Sequence, residues 1–208
     1  FPVSAVLKAR DKGGDGMTMA FIFDIAFSLL PVTIISYLIN ERRNSLKHQQ
    51  LISSMITPAY WISNAIFDFT KVLMLSIITI IFIYIYGVDF DYMWLALLLY
   101  PFAITPYTYF FSFIFPSEDS GEKFMMIHNF LLGGLVPVAV LVLRIIESTQ
   151  SAGKALMWIF KFSPMYCLCE AVINIPSKDI FTSMNEDGKT YKELDMVVAG
   201  GAMLFLAL

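Results

Sequence analysis

A chain of 208 residues that is 58% apolar and only 15% charged lies well outside the balance of a water-soluble domain, about 45–50% apolar and 25% charged, and reads as an integral membrane protein. Its net charge of -3 and pI near 5.3 leave no basic field for a nucleic acid, and the fourteen Lys and Arg are scattered rather than gathered on one face. The two cysteines, Cys167 and Cys169 in the string CLC, are too close for an unstrained disulfide and too few for a zinc site, so they read as packing residues.

In chain order, residues 1–16 read as the end of an extracellular region and 17–39 as a membrane helix, since a bilayer core of about 30 Å takes about twenty apolar residues per crossing. Asp24 falls about 10 Å inside the outer end of that helix. An ionisable residue in a span is a functional candidate by default; against that, a helix starting above the bilayer leaves Asp24 at the outer interface.

The loop 40–57 carries Arg42, Arg43 and Lys47, whereas GVDFDY, between the second and third spans, carries Asp89 and Asp91 and no base. The bias of basic residues toward cytosolic loops puts the first loop inside and the second outside. Within the first loop Leu46, Leu51, Ile52, Met55 and Ile56 recur at helical spacing between Lys47, His48, Gln49, Gln50, Ser53 and Ser54. That pattern predicts a short helix with one apolar stripe. Too short to cross a membrane, it either lies passively at the headgroups or docks into another domain and passes motion to the spans.

The span 58–86 follows. Its run from 59 to 86 measures about 42 Å as a helix, longer than the membrane is thick, so its start projects into the cytosolic interface, where Tyr60 and Trp61 suit an aromatic belt. Asn64, Asp68 and Lys71 stack on one face near that level. The Asp68 and Lys71 pair at i, i+3 can satisfy itself; the competing reading is a polar seam that holds the inner end of a translocation path shut.

Spans 93–115 and 124–146 come next. Pro101, Pro106 and Pro137 are expected to kink them, and Gly133 with Gly134 to admit a close helix neighbour. His128 and Asn129, one turn into the later span, read as helix-to-helix hydrogen bonds ahead of a substrate site. Residues 147–194 then fall outside. Within them 154–175 is apolar but broken at Ser163 and Pro164 into two arms too short to span, which predicts a hairpin dipping into the outer leaflet or lying along the interface. The stretch 195–208 reads as the start of a last span, cut short, and the chain as a piece of a longer polypeptide.

The chain resembles the ABCA subfamily of ABC transporters, specifically the second of its two membrane halves. The resemblance rests on Glu41, Arg42, Lys47, His48, Gln50, Tyr60, Trp61, Ser63, Asn64 and Asp68. It continues through ITPYTYFFSFIF, at Ile104, Thr105, Pro106, Tyr109, Ser112, Phe113 and Phe115, and FSPMYCLCEAVINI, at Phe162, Pro164, Cys167, Leu168 and Ile173. It covers about residues 20–175. Glu170 departs from the pattern, which favours a small or basic residue there.

The resemblance implies an all-α, polytopic ABC exporter transmembrane domain with a cytosolic coupling helix and an outer-leaflet helical hairpin. Glu41, Arg42, Lys47, His48, Gln50, Leu51, Ile52 and Met55 would form the coupling helix and its contact with the neighbouring domain; Pro164 and Glu170 would belong to the hairpin. A first span and most of an extracellular domain would precede Phe1, and a nucleotide-binding domain holding ATP and Mg would follow Leu208. The implied partners are the lipid bilayer, a lipid or sterol substrate, and the other membrane half and nucleotide-binding domains of the same polypeptide, in the plasma membrane or an endomembrane.

No GxxxxGK[ST] string occurs to cradle nucleotide phosphates. With His48 and His128 the only histidines, no catalytic, cofactor or metal residue is read in this segment. The function read is therefore the membrane half of an ATP-driven lipid transporter. The alternatives are an ion channel or ion-coupled carrier in which Asp24 and Asp68 line a polar path, and a noncatalytic anchor whose partner sits on the cytosolic helix.

Overall fold

The structure, a computed structural model, describes residues 3–44, 56–86, 92–177, 192, 194–196 and 198–208. Among these residues there are helices and turns and no strand, as backbone in lipid requires when no closed barrel is formed. The short helix expected around Lys47, His48, Gln50, Leu51, Ile52 and Met55 lies outside the described residues.

Helix α1 runs Val3–Arg43, and its stretch able to cross a membrane is Gly16–Arg43. It therefore continues past 39, through residues that charge alone assigns to a loop. The cause is local: Asn40 Nδ2 donates to Glu118 Oε2 at 3.1 Å, and Arg42 donates to the Phe115 carbonyl. Arg42 and Arg43 also occupy the last turn, where the helix dipole favours positive charge. Helix α2, Thr57–Ile85, starts with Pro58 in its first turn, where the missing N–H costs nothing.

Helix α3 is Met93–Ser112. Helix α4, Glu118–Phe130, begins six residues before the expected 124 because Glu118 and Asp119 suit a helix N-terminus. It passes through a π-helical segment, Leu131–Leu135, into α5, Val136–Ile145, so that the fourth crossing is one rod, Glu118–Ile145. Pro137 explains the widened turn: its ring crowds the carbonyl of Gly133 and it has no N–H to offer.

After a 3-10 turn, Glu147–Thr149, the hairpin is built from α6, Gln150–Phe160, and α7, Pro164–Asn174. A final helix, α8, is Gly200–Ala207. Every residue of α7 is buried, as befits a helix apolar nearly all round. It sits at the centre of the molecule against α1, α3, α5, the π segment and α8, and supplies Met165, Tyr166, Leu168 and Val172 to the main core with Phe27, Ile34, Leu97, Tyr100 and Ile104.

The hairpin packs along α3 rather than at its end. The Phe162 ring at its tip lies 6.3 Å from that of Tyr107, fourteen residues and roughly 21 Å along α3 from Met93. Irregular backbone is tolerated there because protein surrounds it.

Helices α1 and α4 run antiparallel in close contact. Gly121 lies beside Ile35 and Ile39 near one end, and Gly133 and Gly134 beside Phe21 and Asp24 nearer the other. The approach is a small-residue approach of the kind lipid-embedded helices use.

Candidate functional site: a polar seam at the basic end of the bundle

Glu41 occupies the last buried turn of α1. Its Oε1 accepts from the Tyr37 hydroxyl at 2.8 Å, and its Oε2 accepts from the Tyr60 hydroxyl and, at 3.5 Å, from Asn64 Nδ2. Two turns further along α2, Asp68 meets Lys71 Nζ at 2.6 Å through Oδ1 and accepts from the Tyr109 hydroxyl of α3 at 2.7 Å through Oδ2. Trp61 packs between the two groups, its ring 5.2 Å from Tyr60, 6.0 Å from Tyr109 and 5.6 Å from Phe113.

These contacts join α1 to α2 and α2 to α3, while Asn40 and Arg42 tie α1 to the start of α4. All four crossing helices are fastened at the end that flanks residues 45–55. Charge-assisted hydrogen bonds are about twice as strong as neutral ones and hold direction, so the seam resists sliding as well as separation.

Of the residues singled out in sequence, the structure thus gathers Glu41, Arg42, Asn64, Asp68 and Lys71 at one end. Glu41 belongs to the seam inside the bundle, not to the loop beyond it. Lys47, His48, Gln50, Leu51, Ile52 and Met55 are outside the described residues. Sequence reasoning missed Tyr37, Tyr60 and Tyr109 as donors. Tyr37 stands four residues before Glu41 and could have been found; nothing in the sequence pairs Tyr109 with Asp68 across 41 positions.

Asp24 is elsewhere, 0% exposed, with neither carboxyl oxygen hydrogen-bonded to a described residue. It lies over Gly133 and Gly134 on the π segment. Protein encloses Asp24, with the π segment of the fourth crossing packed directly against its carboxylate. Asn129, one turn before Gly133, is equally buried and its side-chain amide has no hydrogen-bond partner among the described residues. His128 Nε2 pairs with the Tyr107 hydroxyl at 2.5 Å, joining α4 to α3. Asp24 and Asp68 do not share a site, because each is enclosed by different helices.

In the hairpin Pro164 opens α7 at the position where proline is best accommodated. Glu170 is 4% exposed and lies 3.9 Å from Lys161 Nζ, itself buried and 4.6 Å from the Trp158 ring centroid. Burial pushes the Glu170 carboxyl up to about 7, against the pull of Lys161 and Arg144. Cys167 and Cys169 are free and buried; the Cys167 thiol donates to the Lys161 carbonyl at 3.0 Å, and burial pushes its titration far upward, the state of an inert packing thiol.

Four long apolar helices with a hairpin packed among them define the membrane domain of a multi-pass protein. The chain belongs to the ABC-2 transporter family: the profile described as ABC-2 family transporter protein matches residues 7–208. It is 27% identical over 184 residues to the phospholipid-transporting ATPase ABCA3 of Rattus norvegicus, covering 83% of this chain and 11% of that protein. Against ATP-binding cassette sub-family A member 7 of the same organism it is 28% identical over 159 residues, 72% of this chain and 7% of the relative. Against sub-family A member 2 of Homo sapiens it is 26% identical over 141 residues, 64% of this chain and 6% of the relative. The chain therefore spans about a tenth or less of the length of these relatives. The likeness to the ABCA subfamily read from the sequence is upheld, and the chain is a membrane-spanning part of an ABC transporter.

Proposed function

We propose that the chain is the second membrane half of an ATP-driven transporter of lipids or sterols, with the segment 44–56 as the coupling element on its cytosolic face. ATP and Mg would act on a nucleotide-binding domain of the same polypeptide, and the described helices would convert its motion into a change of packing. The observation that carries this reading is the seam: Glu41 and its partners fasten α1 to α2 immediately on either side of the coupling segment, so a push on that segment moves both helices together. The name of one relative, a phospholipid-transporting ATPase, supports the lipid class.

The ion-path alternative draws no support from Asp68, which Lys71 and Tyr109 already occupy. The test of the leading reading is Leu51→Asp or Met55→Asp in the full-length protein, reconstituted in liposomes. Either change should leave the protein in the membrane and hydrolysing ATP while lipid movement falls by about tenfold, a coupling loss of ordinary allosteric size. Lipid-stimulated ATP hydrolysis and export both unchanged would refute it.

A further inference from the structure

Away from the seam, α1 and α2 enclose a groove of about 260 Å³. Ile22, Phe23 and Ala26 of α1 line one wall, and Phe82, Ile83 and Tyr86 of α2 the other. It extends over eight residues of each helix, from 19 to 26 and from 79 to 86, or roughly 10 Å, in the half of the bundle remote from Arg42 and Arg43. Its one hydroxyl below the mouth, that of Thr79, donates to the Leu75 carbonyl at 2.9 Å and makes no demand on an occupant. Tyr86, largely exposed, stands at the mouth.

Either lipid or another helix must fill such a groove, and the two leave different marks. Helices that pack in a membrane meet through Gly, Ala, Ser and Thr, as α1 meets the fourth crossing at Gly121, Gly133 and Gly134. The α2 sequence from 77 to 86, IITIIFIYIY, has only Thr79 of these, and its hydroxyl is turned back to the Leu75 carbonyl. Its bulky side chains Ile77, Ile78, Ile81, Phe82 and Ile85 are exposed, so the groove is continuous with a surface shaped for lipid. Tyr84 and Tyr86 end that surface at headgroup level, where tyrosine is favoured.

We infer that the groove between α1 and α2 is a binding site for one acyl chain of an outer-leaflet phospholipid, its headgroup at Tyr86. As a lipid site it stands on the lining alone; as a waiting place for cargo it rests on the transport reading. A chain seated there touches the same two helices that the seam fastens at their other ends, so occupancy and the motion of α1 against α2 bear on one another.

The experiment uses the full-length protein in phosphatidylcholine nanodiscs doped with a phosphatidylcholine bearing a diazirine midway along one acyl chain. After irradiation, label is mapped by peptide mass spectrometry, and ATP hydrolysis is measured in the same discs. Label should concentrate at 19–26 and 79–86. Ala26→Trp, which fills the groove, should cut it about tenfold there while leaving Ile77 and Ile78 on the open face labelled. Ile83→Ala, which enlarges the groove, should raise labelling and guards against a misfolded Trp variant. Uniform label along α2 that neither variant changes, or no label in the groove, overturns the proposal. If labelling fails while lipid-stimulated hydrolysis persists, the groove alone is refuted; if labelling follows the prediction without any lipid stimulation of hydrolysis, the site stands and the transport reading falls.

Discussion

A methyl group added at Gly133 would land on one Asp24 carboxyl oxygen, and one added at Gly134 would lie 2.7 Å from the other. Gly133→Ala should therefore lower the thermal unfolding midpoint in detergent, at a cost of about 1–3 kcal/mol for an overpacked contact. In the double variant with Asp24→Ala the cost should fall, because the Met165 side chain, 2.8 Å from the added methyl, is then the one close contact left to relax. Equal costs with and without Asp24 would show that the two residues are not in contact. Both oddities are legible in sequence, an acid inside an apolar run and a Gly pair inside another. Their pairing is not, since it spans 109 positions and depends on how α1 and α4 are laid side by side. Lys161 shows the same limit: a lysine in the hairpin reads as solvent-facing until α7 folds back and places Glu170 beside it.

Helix existence was written in the apolar runs, and helix ends were not. Polar residues at 40–43 and 118–123 read as loop because charge is the signal that ends a span. They are helical because Asn40 reaches Glu118, Arg42 reaches the Phe115 carbonyl, and the acids of α4 sit at its N-terminus. The hairpin was legible from Ser163 and Pro164, but composition cannot give its depth, which follows from α7 finding apolar neighbours on every side. Glu170 in that element leads to a pH prediction. Its folded-state titration lies at about 7, above the ordinary value of 4.5. The folded protein then holds a proton that the unfolded chain releases between those values, so stability is greatest below pH 4.5 and falls as pH rises toward 7. Thermal unfolding measured from pH 5 to 7.5 should show this slope, and Glu170→Gln should flatten it. An unchanged slope in the variant would assign the effect to another group.

At the scale of the whole molecule, the bundle is unevenly fastened. At the basic end, carboxylates, tyrosine hydroxyls and an ion pair connect α1, α2, α3 and α4; toward the other end α1 and α2 are separated by a greasy groove, and the hairpin core carries the packing. Such a body can open at one end while staying clamped at the other. That asymmetry suits the proposed drive from the end that flanks residues 45–55. The stacking of Asn64, Asp68 and Lys71 on one helix face was legible in sequence, but Glu41 and Tyr109 reach that face only through the packing of three helices. The measurement that tests the clamp most directly is the amount of lipid moved per ATP hydrolysed by the full-length protein carrying Glu41→Ala, compared with the unaltered protein in the same liposomes. The account predicts hydrolysis within about twofold of normal and a ratio reduced about tenfold, because the motor still turns and the joint between α1 and α2 slips. A ratio that does not change would contradict it.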